Sequence, residues 1–133
     1  MTWRNALPEE RQVAALWAVS AAAALALAPL WRVMASLLPP CGFLALTGLP
    51  CPTCGTTRAG LALLDGEMLS AVLFNPGATA AGLVFLAGGV AAALWALSRA
   101  PLPVLPALGR TGRLALIAAF LANWAYLLLW APP

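Results

Sequence analysis

The sequence contains no lysine and no histidine, and sets only four acidic residues against seven arginines. Charged residues make up 8% of the chain, where a soluble domain carries about 25%. So few charges cannot cover a water-facing surface, which excludes an ordinary soluble domain. No basic stripe lies beside a stacking platform, so nucleic acid is not an expected partner. The N-terminal apolar run is not expected to be a secretory signal peptide. The first apolar run, residues 13–30, is longer than a typical h-region, and Pro29-Leu30-Trp31-Arg32 does not offer small residues for cleavage. What remains is 63% hydrophobic, rich in Ala and Leu. The class this implies is an integral membrane protein.

Three runs are expected to cross the bilayer. The first is 13–30, eighteen residues that at ~1.5 Å each reach roughly 27 Å, enough for a hydrocarbon core. The second is 77–97. Asn75 is a good N-cap for it and Pro76 suits the first helical position. Ala78 and Gly82, then Gly88, Gly89, Ala92 and Ala93, offer small-residue spacings that let another helix approach closely. The third is 114–130, with Trp124, Tyr126 and Trp130 toward its end as an aromatic belt. Asn123 inside it reads as an interhelical hydrogen bond. The fold class expected is therefore all-α, one membrane domain over residues 1–133, with a long loop, 31–76, between the first two spans.

That loop is broken by Pro39-Pro40, Gly42, Gly48 and Pro50, so it holds no fourth full span. Two short interfacial helices are expected in it. One begins with Thr56 or Thr57 as N-cap and stops at Asp65-Gly66; the other covers 67–74, with Met68, Leu69, Val72 and Leu73 mostly on one face. The connector 98–112 carries prolines 101, 103 and 106 and is expected to run extended.

Arginine counts orient the chain. Arg4, Arg11, Arg99, Arg110 and Arg113 share one side of a three-span protein; Arg32 and Arg58 lie on the other. The positive-inside rule then places the N-terminus in the cytoplasm and the loop outside, in a bacterial inner membrane. Outside, many bacteria are oxidising, and a disulfide is permitted.

The chemistry sits in Cys51-Pro52-Thr53-Cys54-Gly55-Thr56-Thr57-Arg58. Three uses of the thiols stay open. A zinc site is suggested by the C-P-x-C-G turn, which directs backbone N–H groups at Cys51 and Cys54. Cys41 can serve as a third ligand, and Asp65, Glu67 or a second chain as the fourth. The lack of His and of a second C-x-x-C counts against it. Thiol exchange is suggested by C-x-x-C at a helix start with Arg58 one turn in, but the thioredoxin βαβ scaffold is missing. A disulfide from Cys41 to Cys51 or Cys54, or within the pair, would pin the loop as a staple. Arg58 either snorkels to headgroups or pairs with Asp65 or Glu67. Thr56 and Thr57 beside it can hold an anion such as a lipid phosphate.

Thr47-Gly48-Leu49-Pro50-Cys51-Pro52-Thr53-Cys54-Gly55-Thr56-Thr57-Arg58-Ala59, followed by Asp65-Gly66-Glu67, Ala71 and Asn75-Pro76, resembles a bacterial family of small membrane proteins of unknown function (domain of unknown function 2752). The resemblance covers residues 40–76 and includes Cys41. It implies no activity or cofactor, but it singles out Cys51, Cys54, Arg58, Asn75 and Pro76. The expected role is a non-enzymatic accessory or assembly subunit that contacts lipid, another membrane protein or a second copy of itself. The alternative is a redox, metal-handling or lipid-acting enzyme using Cys51, Cys54 and Arg58.

Overall fold

The computed structural model describes residues 3–4, 7–98, 101–103 and 109–130. After a two-residue strand β1 (Trp3–Arg4), the chain forms α1 (Pro8–Ala26), α2 (Ala28–Leu37), α3 (Gly42–Thr47), α4 (Thr56–Leu64), α5 (Met68–Phe74) and α6 (Pro76–Ser98). A strand β2 (Leu102–Pro103) and α7 (Arg110–Trp130) complete it. β1 pairs antiparallel with β2, a ladder too short to alter an all-α architecture. It also shows Leu102–Pro103 extended, as the prolines demand; Arg99 and Pro106 lie outside the described residues.

Three helical stretches are long and apolar enough to cross a membrane: Ala28–Thr47, Pro76–Ser98 and Arg110–Trp130. The first is not one continuous helix, because residues 38–41, with Pro39-Pro40, separate α2 from α3. α1 is left out of that set by its charged first turn, where Glu10 accepts a 2.9 Å bond from the Leu7 N–H. Pro8 opens α1, where its missing N–H costs nothing. α1 ends at Ala26, and α2 resumes directly at Ala28 with Pro29 in its first turn. A proline is tolerated in the first turn of a helix, so the chain restarts there instead of ending at Leu30.

α1 runs antiparallel against α6. Arg11 lies 5.7 Å from the Trp95 ring, and Trp17 donates its Nε1–H to the Phe85 carbonyl at 3.0 Å. Close approach rests on two glycines. A Cβ at Gly88 would meet the Trp17 ring at 2.3 Å, and one at Gly89 would meet the Ala21 Cβ at 2.4 Å. The small-residue spacing in the second span is thus used. Few side chains are fully shielded, among them Ala14, Ala21, Ala59, Ala62, Ala71 and Leu127, while Leu, Val, Phe and Trp line the outside. In water such a surface would aggregate; in lipid it is the solvent-facing side.

α4 and α5 fold back over the end of α6, with Ala59 and Ala71 fully buried where they pack. Asp65 ends α4 and Gly66 turns with φ +78°. Asp65, one of the two carboxylates considered for Arg58, is engaged by Arg32 of α2 in an ion pair.

Candidate functional site

The cysteine cluster begins with local breaks. Pro39-Pro40 ends the preceding helix, and Cys41 stands at the N-cap of α3. After α3 the chain returns through Pro50 to Cys51. The Cys54 N–H bonds the Cys51 carbonyl at 3.0 Å, closing a tight turn. Gly55 follows with φ +78° and is the N-cap of α4. Thr56 and Thr57 are therefore inside the helix, not its caps. Only glycine suits this position: its backbone is left-handed, and a Cβ would come within 2.8 Å of the Phe74 carbonyl oxygen.

These turns bring Cys41, Cys51 and Cys54 together. Their three sulfurs lie within 4.8 Å of one another. Cys51 stands 3.5 Å from Cys41 and 3.6 Å from Cys54. All three are free thiols, partly exposed. The disulfide expectation is corrected here: a bonded pair stands about 2.05 Å apart, and the sulfurs instead form an open triangle around one point. That triangle can coordinate a metal ion.

The backbone carrying the triangle is held from behind by two membrane helices. Trp124 donates to the Pro50 carbonyl at 3.1 Å, Asn123 to the Pro52 carbonyl at 3.5 Å, and Asn75 to the Cys54 carbonyl at 2.9 Å. Alternate carbonyls of the motif are each clamped by one side chain. Asn75 is 1% exposed and also caps α6, where its Oδ1 accepts the Ala78 N–H at 2.9 Å. Asn123 likewise accepts the Gly77 N–H at 2.7 Å. The cap at Asn75 is legible in the sequence; the clamp is not. Asn123 and Trp124 read from sequence as a helix contact and a belt residue. The only signal that could flag them is a polar-aromatic pair inside an apolar run.

The thiols are electrostatically unequal. The Thr53 hydroxyl, 3.3 Å from the Cys51 sulfur, is the chief reason that Cys51 is lowered to about 7, with the neighbouring thiols adding to it. Burial pushes Cys54 up to about 11. In reduced, metal-free protein, Cys51 alkylation by iodoacetamide should rise as pH passes through about 7, because the thiolate is the reacting form and is populated above the pKa. Cys54 should lag until strongly alkaline pH. Mass mapping of the alkylated cysteine checks this; Cys54 reacting first would contradict it.

Two further expected site residues, Thr57 and Arg58, have surroundings of their own. Thr57 lines, with Thr56, an apolar cavity of about 330 Å³ between α4, α6 and the α1–α2 bend, whose walls include Trp31, Leu61 and Phe85. The Arg58 guanidinium lies over the Phe74 ring, 5.2 Å from its centroid.

Residues 41–89 match the family model of DUF2752, a protein of unknown function. The match starts at the first cysteine of the cluster and ends at Gly89, the glycine against Ala21. DUF2752 thus takes in all three thiols and Asn75, while Asn123 and Trp124, which also hold the loop, lie beyond the matched segment. No curated protein and no solved structure matches the chain.

Proposed function

We propose that this protein is a non-enzymatic accessory subunit of the bacterial cytoplasmic membrane, whose extracytoplasmic loop is a metal-stiffened contact surface for a second membrane protein or for lipid. The observation that carries the reading is the convergence of Cys41, Cys51 and Cys54 on a backbone clamped by Trp124, Asn123 and Asn75. A loop built for turnover needs room to move; this one is pinned at alternate carbonyls and has three soft ligands aimed at one point. Thiolates select zinc, copper(I) or iron–sulfur centres. Zinc is the metal that the C-P-x-C-G turn suggests.

In this reading the first crossing runs through α1, with Glu9, Glu10 and Arg11 at the cytoplasmic surface. α6 and α7 make the other two crossings. The thiol cluster lies at the opposite end of α6 from the arginine-rich connector. Single cysteines at Leu7 or Gly109, in a background lacking the native thiols, should react with an impermeant maleimide only after the membrane is opened. Labelling of either in intact cells would reverse the orientation.

The role itself is tested by purification in mild detergent. One stoichiometric membrane partner should accompany the wild-type chain and be lost with Cys51→Ser. A chain that purifies alone, or keeps its partner without the cluster, would remove the accessory role. A second reading, thiol redox chemistry, draws on the Cys51–Cys54 asymmetry, a thiol lowered to about 7 beside one raised to about 11, both partly exposed. It requires a reversible disulfide midpoint near the compartment's poise.

A further inference from the structure

The chain has three cysteines and no histidine, and all three cysteines are already in the cluster. Among the described residues no carboxylate joins them. Of the four acids, Glu9 and Glu10 lie in the first turn of α1, Asp65 is held by Arg32, and Glu67 stands at the N-cap of α5. Among the described residues the cluster therefore offers a metal ion three sulfurs and no fourth His, Cys, Asp or Glu ligand.

Ligand count separates the ions that thiolates select. A structural zinc site closes with four ligands in a tetrahedron. Cubane and rhombic iron–sulfur clusters also take four protein ligands. Copper(I) is a soft monovalent ion that three thiolates satisfy in a plane, with no further donor. Sulfur spacing admits either geometry. At metal–sulfur bonds of ~2.3 Å, sulfurs stand about 3.8 Å apart in a tetrahedron and about 4 Å apart in a plane. The observed pairs are at 3.5 and 3.6 Å, with all three sulfurs inside 4.8 Å. Spacing does not choose between the ions; three sulfurs complete a copper(I) site, whereas zinc would still need a fourth ligand from water or a second chain.

Two further features suit a preformed three-sulfur site. The clamped carbonyls of Pro50, Pro52 and Cys54 limit the movement that recruiting a distant ligand would need. The sulfurs are only partly buried, so an ion can reach them from outside.

We propose that Cys41, Cys51 and Cys54 form a three-coordinate thiolate site that prefers copper(I) to zinc. This rests on the reading of the cluster as a metal centre. The Thr53 hydroxyl stands 3.3 Å from the Cys51 sulfur.

The test uses the full chain in detergent, reduced and stripped of metal under anaerobic conditions. It is then loaded separately with copper(I) and with zinc(II). Each loaded form is challenged with a chelator of matched strength, bicinchoninate for copper(I) and a pyridylazo dye for zinc. A single copper ion per chain should be retained while zinc is removed, and X-ray absorption of the copper form should show only sulfur neighbours. Cys41→Ser should weaken copper retention by more than roughly a hundredfold, beyond what loss of an outer-shell partner costs. Circular dichroism should stay wild-type, since serine is a good N-cap for α3. Zinc held as firmly as copper(I), with a nitrogen or oxygen in its fourth position, would overturn the preference and leave the metal centre standing. Retention of neither ion would overturn both. Copper held equally well by Cys41→Ser would remove the three-sulfur site.

Discussion

Asn75→Ala is expected to cost the fold about 2–4 kcal/mol. Loss of the cap on α6 contributes about 1 kcal/mol, and the stranded Cys54 carbonyl a further ~1–3 kcal/mol. The residue is 1% exposed, so water cannot replace either bond cheaply. Asn75→Ser separates the cap from the clamp. Serine still accepts the Ala78 N–H but is too short to carry a donor to the Cys54 carbonyl. It should recover the capping share of the stability and keep α6 helical, while the loop loosens and Cys54 becomes alkylated faster than in wild type. Chemical denaturation in detergent, with cysteine mapping alongside, reads both. If Asn75→Ser restores full stability and leaves Cys54 protected, the clamp at that carbonyl contributes nothing.

The second large effect is at the α1–α6 contact. Gly89→Ala should destabilise by about 1–3 kcal/mol through overpacking, although alanine gains close to 1 kcal/mol of helix propensity over glycine. The added Cβ would stand 2.4 Å from the Ala21 Cβ, so the helices must part or shift. The exchange Gly89→Ala with Ala21→Gly restores the missing methyl's space and leaves the summed propensity unchanged. Most of the loss should therefore return in the double variant. Additive losses in the two single changes and the double would show that the two positions do not touch.

Much of this architecture is written locally. Runs 77–97 and 114–130 announce themselves by length, and Asn75-Pro76 and Asp65-Gly66 mark a start and a stop within a few residues. The short helices are legible for the same reason, although the cap of α4 is Gly55 and not a threonine. There the close approach of the Phe74 carbonyl, nineteen positions away, decides the residue. What cannot be read comes from tertiary contact. Cys41 can be named as a third ligand from the sequence, but its reach to Cys51 across α3 is a tertiary contact that no spacing rule fixes. Asn123 meets a carbonyl 71 positions earlier and Trp124 one 74 positions earlier. Pro29 looks like the close of the first run, and the helix instead restarts around it. Asp65 and Arg58 share a helix face but stand two turns apart, and α2 brings Arg32 to the carboxylate from outside the element.

The central claim is that three thiols act as one metal centre. The most direct measurement is the metal content per chain of protein purified anaerobically in mild detergent, for wild type and for Cys41→Ser, Cys51→Ser, Cys54→Ser and the triple variant. The account predicts a soft metal near one equivalent in wild type, and each single variant as empty as the triple, because removing any one sulfur opens the site. Metal retained undiminished by Cys41→Ser, or a wild-type chain as empty as the triple variant, would contradict it.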